Sequence, residues 1–216
     1  NMKAANQLDE KSPVGFFLCY IQLRGRALFT RDLQLATVGG FGETGEVGKK
    51  LFAALSRSGQ ASIELFLHAA DSQQGSIVAF SGGGKPQFTI SQDEGALQAR
   101  LTTSGASVSW PGLIPAGKPV HLVANLSGKD LELFVDGRSL GKKELKVDFS
   151  GGGYDNLILG DTSGSLQARL SGFAVYNRLL TPAEIAANSR LAHQTQSKTP
   201  ATARLVVDAT LQETTE

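Results

Sequence analysis

The sequence predicts an all-β domain built as a two-sheet antiparallel sandwich, and three observations predict it. Glycine is frequent, 25 of 216 residues, and clusters at Gly39-Gly40, Gly82-Gly83-Gly84 and Gly151-Gly152-Gly153. Between these clusters run short segments rich in Val, Ile, Leu, Phe and Thr, the pattern of many short strands punctuated by turns. Helical patterning is confined to two stretches, which makes them decorations on a β domain.

Taken in order, strands are expected near 15–22, 27–36, 61–68, 75–80, 86–92, 96–103, 119–127, 130–136, 156–160 and 166–177. Period two is clearest from Lys129 to Asp136. There Leu131, Leu133 and Val135 share one face, and Asp130, Glu132, Phe134 and Asp136 share the other, as in a half-buried antiparallel strand. Ser127-Gly128 and Asp136-Gly137 read as the flanking hairpin turns, with a short return at Ser139-Leu140. One helix is expected from Glu46 to Ser56, where Val47, Leu51 and Leu55 fall four apart and Gly59 stops the run. The other follows Thr181-Pro182-Ala183-Glu184. Thr181 is the N-cap, Pro182 takes the first helical position, Glu184 closes a capping box, and the helix runs to about Leu191. Leu-Gln-Ala-Arg-Leu occurs at 97–101 and again at 166–170, but nothing around the copies repeats, so no duplication is inferred.

The expected organisation is one domain over 1–192, a polar linker over 193–202, and a C-terminal strand over 203–216. That strand either returns to the sandwich or opens a further domain. Left unpaired it would be an aggregation hazard. The formal net charge is +1 and no basic stripe is visible, so nucleic acid is not the expected partner. The longest apolar run near the N-terminus, Val14 to Ile21, is a strand's length, far below the ~20 residues of a spanning helix, so no membrane insertion is expected. The single cysteine, Cys19, lies in an apolar run and reads as a buried thiol, which leaves the redox compartment undetermined. Asn1 precedes Met2, which reads as an added residue on an excised segment, so the lack of a visible leader says little of location.

Three groups of residues carry a family resemblance. His121-Leu-Val-Ala-Asn125 followed by Leu131-Glu-Leu-Phe-Val-Asp-Gly-Arg138 resembles the central hairpin of laminin-G-like jelly rolls. Asn156-Leu-Ile-Leu-Gly-Asp161, then Leu170-Ser-Gly-Phe-Ala-Val-Tyr-Asn-Arg-Leu-Leu-Thr-Pro-Ala-Glu-Ile185, resembles that family's closing strands and capped helix. Gly75 to Gly82, Gln87 to Asp93 and Leu97 to Thr103 resemble a bacterial branch. The likeness covers roughly 60–192 and implies a concanavalin A-like jelly roll. It also implies an accessory module in a larger extracytoplasmic bacterial protein, with neighbouring domains. It does not fix function, because lectins, pentraxin-like binders, glycoside hydrolases and adhesion domains share the fold.

Glycoside hydrolysis needs two carboxylates. Asp130 and Glu132 share a strand face ~6.5–7 Å apart, but the Glu-x-Asp-x-Glu or Glu-x-Asp-x-x-Glu run of similar hydrolases is missing, and a solvated strand is the plainer reading. Glu64 shares a face with Phe66 and His68 and could line a groove or simply sit on a mixed surface. The histidines His68, His121 and His193 lie far apart with no cysteine pairs, against a transition-metal site. Calcium prefers oxygen, and Asp155, Asn156 and Asp161 cluster around one strand, though Asp and Asn also suit turns. No Gly-x-Ser-x-Gly elbow and no phosphate loop is present. Sugar recognition would use loop aromatics, here Trp110 in Ser109-Trp-Pro-Gly112 and Tyr154 after the triple glycine, unless each plugs an end of the core. The expected function is therefore a non-catalytic module recognising a glycan or a protein surface, needing no cofactor except a possible calcium. Its candidate ligand residues are Trp110, Tyr154, Asp155 and Asn156 at one rim, with Glu64 outside it. The alternatives are a glycoside hydrolase with a degenerate motif and a structural or oligomerisation spacer.

Overall fold

The computed structural model describes residues 21–30, 34–37, 39–69, 74–93, 95–112, 114–151, 153–163 and 165–197. Cys19, the strand expected over 15–22 except at its end, and the C-terminal strand over 203–216 lie outside them.

Among the described residues the chain forms β1 (Gln22–Gly25), β2 (Leu28–Phe29), β3 (Leu35–Ala36), β4 (Gly40–Glu43), α1 (Glu46–Ser58), β5 (Ala61–Ala69), β6 (Gly75–Gly82), β7 (Lys85–Asp93), β8 (Ala96–Leu101), β9 (Ser107–Pro111), β10 (Pro119–Leu126), β11 (Asp130–Val135), β12 (Arg138–Glu144), β13 (Asn156–Gly160), β14 (Ala168–Tyr176) and α2 (Pro182–Ser197). They make two seven-stranded sheets, ordered β1-β4-β13-β6-β7-β8-β9 and β12-β11-β10-β5-β14-β3-β2. Every described pairing is antiparallel. The chain passes back and forth between the sheets, so strands distant in sequence become neighbours. The expected jelly-roll sandwich is what forms.

The core follows from period two. On β5, Ile63, Leu65 and Leu67 face inward and are buried; on β10, Leu122, Ala124 and Leu126 do the same; on β11, Leu131 and Leu133. The opposite sheet answers with Val78, Phe80, Phe88, Ile90, Leu157 and Leu159. Aliphatic and aromatic side chains interdigitate between sheets packed about 10 Å apart.

Five elements differ from the sequence reading. The strand expected over 27–36 is two short strands, β2 and β3, paired antiparallel with each other. Trp110 lies on strand β9, not in a turn. Ser107-Val108-Ser109-Trp110 alternates, and a sheet-edge strand tolerates the following Pro111. β12 is a full edge strand, exposed throughout, with Lys142 and Lys143 on it. Charges of this kind keep an edge from pairing with other chains. β4 was not foreseen. Helix α2 continues to Ser197, through the first residues of the expected linker, because the polar run from His193 contains no proline before Pro200.

α1 ends as expected, with Gly59 left-handed and its N–H on Leu55 O at 2.9 Å. The capping box of α2 also forms. Glu184 N donates to Thr181 Oγ1 at 3.3 Å, and Thr181 N to Glu184 Oε2 at 2.8 Å. Arg178 grips the same carboxylate through its two terminal guanidinium nitrogens, at 3.0 and 2.7 Å. These bonds hold the Glu184 carboxyl down to about 2, with the Arg178 bond the largest cause. The helix thus starts from a fixed point and lies across the outer face of the β10-β5-β14 strands. A small outer core of Val123, Phe134, Leu180 and Ile185 seats it there. The β11–β12 turn is Asp136-Gly137, both with positive φ (49° and 80°), the two-residue turn that hairpin twist favours.

Candidate functional site

The outer face of β5 carries Ser62, Glu64, Phe66 and His68, because the inward positions are taken by the core. Directly across from Glu64 stand Val123 on β10 and Ala174 on β14. Diagonally placed are His121 and Tyr176, within reach of long side chains on a sheet. Helix α2 brings Asn188 from above.

All three converge on one carboxylate. His121 Nε2 lies 2.7 Å from Glu64 Oε1, Asn188 Nδ2 donates to the same oxygen at 2.9 Å, and Tyr176 Oη donates to Oε2 at 2.6 Å. Glu64 is 13% exposed and His121 2%. Burial pushes the Glu64 carboxyl up, but bonds from His121, Tyr176 and Asn188 together outweigh it and hold the group below the usual carboxylate range. Burial and the bond to Glu64 push the Tyr176 phenol well above its ordinary value. The network therefore rests with Glu64 ionised and Tyr176 protonated.

Above the network a cleft of about 310 Å³ opens between sheet and helix, bordered by Phe66, Gly172, Phe173, Ala174, Tyr176, Asn188, Leu191 and Ala192. It exists because Gly172 and Ala174 are small and because Asn188, Leu191 and Ala192 share one helical face. Its size is at the lower end of the ~300–1,000 Å³ typical of small-molecule sites. The helix is held over it from the far side too: His193 Nε2 lies 2.9 Å from Asp136 Oδ1, and the same oxygen accepts the His121 backbone N–H at 2.9 Å. The His193 ring meets Phe66 edge-on, centroids 5.4 Å apart.

One step along the same strands is a second polar cluster. Ser62 and Asn125 face each other across β5 and β10. Ser62 Oγ bonds Asn125 Oδ1 at 2.6 Å, Leu180 N donates to Ser62 Oγ at 2.8 Å, and Asn125 Nδ2 donates to Leu180 O at 2.8 Å. Both side chains are buried.

The residues expected at one rim are separated. Tyr154, Asp155 and Asn156 lead into the start of β13, whose Asn156 pairs with Ser81 at the end of β6. Trp110 pairs with Leu97 on β8, and the register β6–β7–β8 puts that pair at the other end of the sheet. Trp110 is fully buried, with Nε1 on Gly141 O at 2.9 Å, and so presents no platform. Tyr154 is half-buried among Phe52, Phe80 and Phe149, beside a hollow of about 200 Å³ lined in part by Gln87, Lys146 and Asp148. The calcium trio does not converge either. Asn156 opens β13 and Asp161 follows its end, about 16 Å along an extended strand. Their oxygens are already used: Asn156 Oδ1 by Thr44 and the Gly45 N–H, Asp161 by Ser163, Ser165 and the Ser76 N–H, and Asp155 Oδ2 by the Gly83 N–H. Among the described residues, no three His, Cys, Asp or Glu side chains gather as a metal site. Asp130 and Glu132 sit on the outer face of β11, with Glu132 bonded to Ser139 at 2.6 Å. No described helix is long and apolar enough to cross a membrane.

Glu64 was the sequence candidate that the fold develops. His121, Tyr176 and Asn188 were missed. Period two on β10 and β14 puts His121 and Tyr176 on outer faces, but only the strand order brings them to Glu64.

No curated protein sequence matches the chain. Among solved structures it is similar to the binding domain of botulinum neurotoxin DC in complex with rat synaptotagmin II (TM-score 0.62, 10% identity, 80% of this chain and 46% of that one). It is also similar to a botulinum neurotoxin type C structure, of a toxin whose cell entry depends on interaction with two ganglioside molecules (TM-score 0.61, 12% identity, 80% and 46%). A third is the binding domain of botulinum neurotoxin DC in complex with SialylT (TM-score 0.58, 10% identity, 80% and 46%). The chain spans about half the length of these structures, and at such identities they show the fold alone. A laminin-G model, described as the concanavalin A-like lectin/glucanases superfamily, matches residues 43–186, about two thirds of the sequence. With the closing strands and the capping box of α2 inside that match, the chain belongs to the concanavalin A-like lectin/glucanases superfamily.

Proposed function

We propose that the domain is a non-catalytic recognition module that takes a glycan or an element of a protein surface in the α2 cleft. The observation that carries this reading is an ionised Glu64 at the base of an aromatic-walled cleft, fixed by three donors from β10, β14 and α2. Groups fixed in this way are pre-ordered for a ligand, which lowers the entropic cost of binding. The solved structures similar in fold include one bound to a protein and one bound to SialylT, which supports recognition as the use of the fold.

The hydrolase alternative required Glu64, or Asp130 with Glu132, to point into a groove with aromatic walls; Glu64 does, and Asp130 and Glu132 do not line that cleft. Hydrolysis also requires a partner carboxylate and one carboxyl that holds a proton. Among the described residues lining the cleft Glu64 is the one carboxylate, and its three donors favour the ionised form. This favours binding over catalysis. As part of the same proposal, the module works outside the cytoplasm within a larger bacterial protein and needs no cofactor.

The test is a glycan and peptide array probed with wild type, Glu64→Gln and Tyr154→Ala, each with calcium and with chelator. The expected result is binding lost in Glu64→Gln and retained in Tyr154→Ala and under chelation. Binding that survives Glu64→Gln but not Tyr154→Ala overturns the cleft in favour of the hollow at Tyr154. Loss under chelation overturns the metal-free reading.

A further inference from the structure

The ligand chemistry of the cleft follows from its hydrogen-bond and charge balance. A carboxylate offers about four acceptor positions. Among the described residues, Glu64 Oε1 takes His121 and Asn188, while Oε2 takes Tyr176 alone. One lone pair of Oε2 therefore remains, beside the acceptor oxygen of the Tyr176 hydroxyl. The polar base of the cleft asks for a donor.

It also asks for positive charge. The Tyr176 and Asn188 donors are neutral. His121 reaches Oε1 through Nε2, and its Nδ1 is buried with no hydrogen-bond partner among the described residues. The Arg178 guanidinium lies 5.8 Å from the Tyr176 ring centroid but is committed to Glu184 by two bonds. Among the described residues lining the cleft there is no Lys or Arg to meet the charge of Glu64. The walls complete the pattern. Phe66 and Tyr176 give the cleft aromatic surface of the kind that attracts cations, and Ala174, Ala192 and the exposed Leu191 suit a methylene stem.

We infer that the cleft takes a primary ammonium at the end of an apolar chain, the chemistry of a lysine side chain, with Glu64 as counter-ion. This rests on the cleft being the recognition site.

The test is an amide NMR titration of the whole protein, following residues around Ala174 and Asn188, with n-butylammonium, 1-butanol, Nα-acetyl-lysine methylamide and a methyl glycoside as probes. Saturable shifts with butylammonium and not with butanol are expected, weakening with salt. Affinity falls about tenfold in Glu64→Gln, which keeps the shape and the acceptor oxygen for His121. Leu191→Lys and Leu191→Glu both lose the apolar contact of Leu191 and differ from each other in charge at the mouth, with weaker binding expected in Leu191→Lys than in Leu191→Glu, so the inference stays testable even if position 64 proves sensitive. Tighter binding of the lysine derivative than of butylammonium assigns the site to a peptide lysine, and equal binding to a free amine; both support the inference. Equal response to butanol and butylammonium, or no change in Glu64→Gln, overturns it. Shifts with the methyl glycoside alone overturn it while leaving the cleft as the recognition site. No shifts with any probe overturn both.

Discussion

Two polar clusters lie under the same helix, one step apart on the same strands, and they differ in how completely they are satisfied. At Ser62 and Asn125 every bond runs inward, to each other and to the backbone at the root of α2, and both side chains are sealed. At Glu64 the bonds converge on a charge that still borders open space. The first cluster joins helix to sheet. The second holds a charge beside open space. The difference teaches that burial of polar groups does not by itself suggest a site; an acceptor left over at the edge of a cavity is what the proposed site adds.

The largest effect should come from the sealed cluster. Asn125→Ala strands the buried Leu180 carbonyl and removes one acceptor from Ser62, whose hydroxyl keeps Arg178 O, and should cost about 2–3 kcal/mol in urea unfolding. Binding by the remaining folded protein should be unaltered. A smaller loss there than at Glu64 would erase the distinction between the clusters.

Tyr176→Phe removes one donor from the carboxylate and should cost about 1–2 kcal/mol. The Glu64 carboxyl should then titrate at higher pH than in wild type, read by carboxyl carbon NMR. An unmoved titration would mean that Tyr176 does not hold the charge.

Acid should separate the clusters next. Glu64 and Glu184 are both lowered in the fold from an ordinary 4.5. The stability they lend is present above that value and is lost as pH falls through their folded values, for Glu184 between 4.5 and about 2. Glu184 is partly exposed, so its share after solvent screening is about 1 kcal/mol. The sealed cluster has no titrating group, so the cost of Asn125→Ala should be the same at pH 7 and pH 3.

The smallest effect on stability belongs to Glu64→Gln, under about 1 kcal/mol, since an isosteric amide keeps an acceptor for His121 and gains a donor toward Tyr176. A large destabilisation would make Glu64 a structural residue.

How much of this was legible depended on distance along the chain. The α2 capping box spans four residues, and Thr181, Pro182 and Glu184 announce it by type and spacing. The Glu64 face was visible because period two needs only one strand. The site around it was not, since His121, Tyr176 and Asn188 lie 57, 112 and 124 residues away and meet only through strand order. Trp110 was misplaced for a local reason: Trp-Pro-Gly is a strong turn signal, and it masked the Ser-Val-Ser-Trp alternation on an edge strand where proline is tolerated. Asp155, Asn156 and Asp161 show the converse. They are close in sequence, and an extended strand carries them to opposite ends of a sheet.

The turn at Asp136-Gly137 has one more consequence. A Cβ at Gly137 would stand 3.3 Å from Ala186 Cα and 3.5 Å from Ser189 Cβ, so α2 rests directly on a bare backbone. That contact acts as a shim beneath the helix. Its thickness sets how high Asn188 and Leu191 ride above the sheet, and so the aperture of the cleft on the other side. Selectivity could therefore be retuned without touching a lining residue, by changing side-chain volume at position 186 and leaving the glycine in place.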